Sequence, residues 1–547
     1  MKKYLLLCII GFSQLFADLI HPQDGDTISY IHVKFQWENE DNASEYIFEL
    51  STENDFSSTF QTSVTDLQYV DMDNIIWQET YFWRVSANGG TSWINTNSFS
   101  TGSTLSNVSV AMYNNNNYAD GYTIFGDMYN KYSAIIDRDG NEIWNSGDQK
   151  ILYQNFDENG SFFGATENEM SEYPSPGIKF SLTDGILWEE PNEEYVHHEF
   201  LELPWGDYVG IAHEYRDGPI YAPDNYIYDA YQNLDCVADG VTIEWPWQGD
   251  RLVIWDKDTK AVKWTWSTFD YFSMDDYDDV QWYAYPVIGG HFDWTHVNAI
   301  YYDDSDNTFL ISTRNLSRIT KIQIQEDNGV ISGGEIIWNM GHEYPSGDVT
   351  FGHELGFSQQ HSISITDADN ILILDNGNYA EQYWGAEEPT TRALEIAVSG
   401  SAGNYLASID FEYSLTPNLF GSESGNVQQL ENGNYLITTV GGDGTTLEVT
   451  PDGDLVWQAN YDSFVMWRAS RIESLYPVPI ECTASGDVNG DGGWNVLDIV
   501  QLTNCILQDN CDEHENGCAG DLNGDGGWNV LDVVILSNCI LQNNCGG

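Results

Sequence analysis

The sequence predicts a mainly β protein: a six-bladed β-propeller over residues 106–478, an N-terminal β-sandwich over 18–105, and a small α-helical domain over 482–547. Three observations predict it. Aromatic residues make up 14% of the chain and 49 glycines punctuate it, a mixture that favours strands and turns. A turn leading into a strand tryptophan recurs through the middle of the chain. The C-terminal region is a near-perfect tandem duplication. At 547 residues the chain is too long for a single hydrophobic core, so several domains are expected.

Residues 1–17 read as a signal peptide. Lys2 and Lys3 precede an apolar stretch, Tyr4 to Phe12, that is too short to span a bilayer, and Leu15-Phe16-Ala17 offers a cleavage site. A secreted, cell-surface or periplasmic protein without membrane insertion is expected. Residues 18–105 alternate apolar and polar positions in short runs, such as Phe35 and Trp37, then Tyr46, Phe48 and Leu50. With the strand Tyr81-Phe82-Trp83-Arg84-Val85, this segment resembles a fibronectin type III domain, which implies a spacer or adhesion module.

The repeated element appears as Asp137 to Trp144, as Thr183 to Trp188 and as Thr450 to Trp457. Looser copies run from Asp256 to Trp264 and from Glu326 to Trp338, and Ile396 to Ile409 occupies the place of another copy without its tryptophan. Each is associated with a hairpin across a polar turn, as at Gly206-Asp207, Asp369-Asn370 and Gly433-Asn434. Six such units arranged radially make a propeller.

The duplicated tail spaces oxygen ligands at positions 1, 3, 5, 9 and 12 of each loop. They are Asp487, Asn489, Asp491, Asn495 and Asp498, then Asp521, Asn523, Asp525, Asn529 and Asp532. Gly492 and Gly526 allow the sharp turn at position 6. Hard oxygen donors at this spacing suit structural calcium. With Asp at position 12 and an apolar helix after each loop, the tail resembles a type I dockerin. That resemblance implies a cohesin-like partner, with Val496-Leu497 and Val530-Leu531 as equivalent docking pairs. The cysteine spacing recurs in both repeats. It predicts Cys505–Cys511 and Cys539–Cys545, with Cys482–Cys518 joining the halves.

The propeller region holds the candidate chemistry. His198 and His361 stand at the same offset from their hairpin turns, and His296 opens a similar strand, whereas two other units have Leu152 and Gly425 there. Equivalent positions on the inner strands of a propeller converge on one axis, so three imidazoles should meet at one end of the channel. Alternation adds Asn298 on the face of His296 and sends His197 to the face opposite His198. The next strand brings Arg314. The formal charge is −67, from 86 acidic and 19 basic residues, which excludes a nucleic-acid-binding surface. An arginine among histidines is then a local positive pocket, suited to a sulfate oxyanion. His213, His342 and His353 each precede a glutamate without a zinc-protease spacing and read as loop residues.

At these residues the chain resembles the arylsulfate sulfotransferase family. The matching stretches include Val196-His197-His198-Glu199, Trp294 to Asn298, Ser312-Thr313-Arg314, Gln360-His361, Leu374 to Gly377 and Thr391 to Glu395. The resemblance implies a nucleotide-independent, ping-pong enzyme with no catalytic cofactor. It would move a sulfuryl group from a phenolic sulfate donor to a phenol acceptor through a sulfohistidine. It also implies His361 as the nucleophile, with His198, His296, Asn298 and Arg314 around it. Glu199 and Ser362 stand where the family pattern has Asp. Two alternatives follow from the same residues: a metal-dependent hydrolase built on His198, His296 and His361, and a non-catalytic binding propeller.

Overall fold

A computed structural model describes residues 18–40, 43, 45–157, 160–166, 176–191, 196–219, 244–278, 290–463, 466–476, 486–489, 493–508, 511, 517–520, 522 and 528–542. The expected signal peptide and Cys236 lie outside these residues.

Six sheets of four or five strands form the propeller. In blade 1, Ile151–Phe156 is followed outward by Phe162–Thr166, Gly177–Ser181 and Gly185–Glu189. Blade 2 runs from Val196–Glu202 through Tyr208–Pro219 and Glu244–Trp255 to Val262–Ser267. Blade 3 runs from Val297–Asp303 to Val330–Gly341, blade 4 from His361–Ile365 to Asn404–Ser414, and blade 5 from Asn426–Gln429 to Leu455–Asn460. Ser109–Met112 adds a fifth strand to the outer edge of blade 5. Blade 6 combines the two ends of the region. Its inner strand is Met466–Ile472, which pairs with Tyr122–Asp127, and Tyr132–Ile136 and Glu142–Asn145 follow outward.

The recurring tryptophans join neighbouring blades. Three of them donate the indole N–H to a backbone carbonyl of the next sheet: Trp144 to Leu182 at 2.7 Å, Trp188 to Lys257 at 2.8 Å, Trp457 to Arg138 at 2.9 Å. In blade 2 the donor is Trp266, to Gly334 at 2.9 Å, rather than Trp264 of the repeat. In blade 3, Trp338 packs edge-on against Phe351. These rings bury large area and satisfy a carbonyl at the same time.

Two further sheets make the N-terminal sandwich, one in the order Leu19–His21, Val33–Trp37, Gln68–Asp71, the other of five strands. Its core is Phe35, Trp37, Phe48, Trp83 and Phe99, all 1% exposed or less. It is tied to blade 6, where Trp77 donates its indole N–H to the Glu142 carbonyl and Ile31 N–H to Ile143. In the tail, helices Val496–Gln508 and Val530–Gln542 pack around Leu502 and Leu536. Cys505 and Cys511 form the expected disulfide. Cys539 is disulfide-bonded as well, while Cys482, Cys545 and the Cys518 side chain lie outside the described residues. Among the described residues no helix is long and apolar enough to cross a membrane.

Candidate active site

The inner strands of blades 2, 3 and 4 begin with irregular backbone. His198, His296 and Ser362 all have positive φ, at 62°, 51° and 58°. Pairing registers shift between His197 and Phe200, between Val297 and Ala299, and between His361 and Ser364. Bulges of this kind re-aim side chains, and left-handed non-glycine residues mark sites where the surroundings enforce the conformation. The bulge in blade 2 overturns the alternation expected for His197. Its ring stays beside His198, with Nδ1 atoms 2.7 Å apart. Nor is His213 a loop residue; it lies inside the strand Tyr208–Pro219.

The structure brings His198, His296 and His361 to the same place. His198 Nε2 is 3.2 Å from His296 Nε2, and the His198 and His361 ring centres are 6.3 Å apart. His296 Nδ1 meets the Asp293 carboxylate at 2.6 Å. The carboxylate there accepts a hydrogen bond from His296 Nδ1–H, so the Nε2 atoms of His296 and His198 face each other and can share one proton. Burial pushes the Asp293 carboxyl up, but His296, with His213 and Arg314, together bring it down to about 2.

His361 is 4% exposed. Its Nδ1 lies 2.7 Å from Asn376 Oδ1, and Asn376 Nδ2 donates to the Gly421 and Ser424 carbonyls at 2.8 and 3.2 Å. The two carbonyls fix the amide so that its oxygen faces the imidazole. His361 therefore carries its proton on Nδ1 and keeps a lone pair on Nε2. Burial and the nearby Arg314 charge hold His361 well below the ordinary histidine range, against a smaller upward pull from Asn376. Burial and the rings of His296, His197 and His361 do the same to His198.

Arg314 follows the strand Thr308–Thr313 and is 8% exposed. Nη1 donates to Asn315 Oδ1 at 2.8 Å and Nη2 to the Ser422 carbonyl at 3.2 Å. Two of the five guanidinium N–H groups are thus spent on position, leaving the others for an anion. Asn298 is fully buried; Nδ2 donates to the Gln360 carbonyl at 2.8 Å, just before His361, and Oδ1 has no partner.

Sequence reasoning missed two residues on the closing strand. The Trp467 ring lies 5.0 Å from His198, and Arg468 Nη1 donates to both Glu199 oxygens at 2.9 and 2.8 Å. Arg468 Nη2 donates to the Asn298 carbonyl at 2.9 Å. Glu199, a departure from the expected Asp, thus holds an arginine. Ser362, the other departure, has a buried hydroxyl without a partner. Asn376 and Asp293 were within reach of a sequence reading, since both lie in or beside the quoted motifs. Among the described residues, the ligand set close enough to share an ion is His197, His213 and Asp250, not His198, His296 and His361. The hydrolase alternative therefore gains no support.

The family model for arylsulfotransferase (ASST) matches residues 107–452. The chain belongs to the arylsulfotransferase family. Residues 485–541 match the type I dockerin domain, so this arylsulfotransferase carries a dockerin at its C-terminal end. No curated protein matches it. A protein of unknown function from Bacteroides caccae is similar in structure at 11% identity and TM-score 0.36, over 65% of this chain and 100% of that one. A luciferin-regenerating enzyme is similar at 8% identity and TM-score 0.27, over 66% and 99%. Scores this low carry no argument about activity.

The tail's donors fit calcium where they are described. Asp498 and Asp532, at position 12 of each loop, are fully buried and accept from Asn495 N–H and Asn529 N–H at 2.8 and 2.9 Å. Asp487, Asn489, Asn495 and Asn529 complete the described donors; Asp491, Asp521, Asn523 and Asp525 lie outside the described residues. Buried carboxylates among oxygen donors call for a hard cation.

Proposed function

We propose that the protein moves a sulfuryl group from a phenolic sulfate ester to a phenol through an N-sulfo adduct on His361. The observation that carries this reading is the His361–Asn376 pair beside Arg314, which presents a neutral Nε2 lone pair next to a guanidinium. Nε2 attacks sulfur and the sulfur–oxygen bond to the aryl group breaks. The electron pair leaves on the phenolate oxygen, which takes the proton shared by His198 and His296. Arg314 holds the non-bridging oxygens, and Asn298 fixes the backbone ahead of His361 while offering its second amide N–H. A phenol acceptor reverses the path: its oxygen attacks sulfur, its proton returns to the histidine pair, and the sulfur–nitrogen bond breaks. Donor and acceptor thus react in turn.

The experiment is incubation with a sulfur-labelled phenyl sulfate. A stoichiometric burst of phenol, with an acid-labile label on the His361 peptide that an added phenol discharges, supports the scheme. Multiple turnovers without any labelled protein would sink it.

For the tail we propose two structural calcium ions and docking to a cohesin-like module. Val496, Leu497, Val530 and Leu531 are all more than half exposed, at equivalent positions of the two helices. The dockerin and the charged, then apolar, N-terminal residues support an exported protein. For residues 18–105 we propose a fibronectin-like spacer. Chelation should remove tail helicity, read as a loss of far-ultraviolet ellipticity that added calcium restores. Helicity indifferent to chelator would contradict the calcium assignment.

A further inference from the structure

We propose that His197, His213 and Asp250 form a divalent transition-metal site of the zinc type, directly behind His198. Three adjacent strands of blade 2 supply the residues. His197 is on the inner strand, His213 on the second and Asp250 on the third, where Asp250 is paired directly opposite His213. One ligand atom from each lies within 4.8 Å of the others. The His197 and His213 rings are 4.0 Å apart between centres.

Two of the three ligand atoms are buried and have only each other for a close partner. His197 is 9% exposed and Asp250 1%. His197 Nε2 and Asp250 Oδ1 face each other at 3.1 Å as an ion-pair contact, poorly aligned for a regular hydrogen bond. A buried carboxylate oxygen and a buried imidazole nitrogen that share one poorly aligned contact are incompletely satisfied. An ion between them would satisfy both. Donors about 2 Å from a tetrahedral ion sit roughly 3.3 Å from one another, close to the separation already present.

The carboxylate is also held in place for this. Asp250 Oδ2 accepts from Thr295 Oγ1 at 2.5 Å and from Val297 N–H at 2.7 Å, which turns Oδ1 toward the histidines. Outer hydrogen bonds that orient a ligand are a regular feature of metal sites. Two imidazoles and one carboxylate, with no thiolate, form a borderline donor set that favours zinc-like ions over calcium.

The position gives the ion a role in the reaction. A metal on His197 Nε2 leaves the ring proton on Nδ1, which donates to His198 Nδ1 at 2.7 Å. His198 must then carry its own proton on Nε2, facing His296 and the departing phenolate. The ion thus fixes the tautomer in which His198 points its Nε2–H toward the departing oxygen. As that proton moves, the His197 Nδ1 proton can follow onto His198 Nδ1, leaving the metal-held His197 ring to bear the charge. This part rests on the proton-carrying role proposed for His198; the metal site itself does not.

The test uses the full chain, saturated with calcium so that the tail sites are filled, and titrated with Co²⁺ or Zn²⁺ alone. One tightly bound ion per chain is expected, with the visible absorption of low-coordinate cobalt, and His213→Ala should lose it. His213→Gln serves if the alanine variant does not fold. X-ray absorption of the zinc-loaded wild type should show two imidazoles and oxygen, with no sulfur. Lack of uptake, uptake unchanged in the folded His213 variants, or sulfur ligation would overturn the site. Loss of the ion should slow phenol release about tenfold without removing the label from His361. A bound ion with unchanged release would leave the site standing and overturn its effect on His198. Because uptake is measured without any sulfate ester, failure of the transfer scheme and failure of the metal site remain distinguishable.

Discussion

His198 and His361 reach the channel from equivalent strands, at the same distance from their hairpin turns, and their surroundings differ almost completely. His361 is held by one neutral amide, Asn376, and lies beside the fixed charge of Arg314. His198 touches two other imidazoles, His197 and His296, and lies against the tilted ring of Trp467. An amide and a guanidinium suit a neutral nucleophile with an anion next to it. A row of imidazoles ending in carboxylates at Asp293 and Asp250 suits a mobile proton. Repeat symmetry places the rings, and the neighbours outside the repeat divide the labour.

Exchanging the two histidines for asparagine separates these roles most sharply. His361→Asn should abolish both the phenol burst and the label, with a loss of at least about a thousandfold in turnover. His198→Asn should keep the label and slow its formation and discharge. Label on the His361→Asn protein would reverse the assignment. Arg314→Lys comes next, at about 10²–10³-fold in the sulfuryl-transfer rate, because lysine keeps the charge without the planar fork. Near-normal single-turnover rates in that variant would remove Arg314 from contact with the sulfuryl oxygens.

Asn376→Ala should cost about tenfold, the worth of one hydrogen bond, and the loss should fall on labelling. If only discharge by phenol slows, Asn376 orients something other than the nucleophile. The smallest effect concerns pH. His361 is held neutral well below the ordinary histidine range, so protonation does not remove its lone pair until the pH falls well under that range. The burst amplitude should therefore persist at mildly acidic pH, where a free imidazole is mostly protonated. An amplitude titrating like free histidine would show that His361 is not buried against Arg314.

Much of the site was legible because periodicity is local. The offset of His198 and His361 from Gly206 and Asp369 is a matter of counting, and the turn-to-tryptophan element marks the blades even where it is degenerate. Backbone conformation was not legible. Alternation sends His197 away from His198, but φ of +62° at His198 breaks the alternation. The partners of the orienting groups were hidden for another reason. Asn376 acts through carbonyls of Gly421 and Ser424, and nothing in the sequence around Asn376 announces those partners. Trp467 and Arg468 belong to a strand whose sheet partners come from the far end of the repeat region, so no local pattern points to the channel.

That strand also sets an order of events. Tyr122 pairs with Ile472, so blade 6 is complete only when both ends of the propeller meet. Trp467 and Arg468 arrive with this closure, after His198, His296 and His361 have been made. A chain emerging N-terminus first holds every histidine of the pocket before it holds the arginine that ties Glu199 to Asn298. Long-range pairing of this kind forms late. The histidine pocket is thus completed only with the last blade of the propeller, and a nascent chain carries the proposed nucleophile in an unfinished ring.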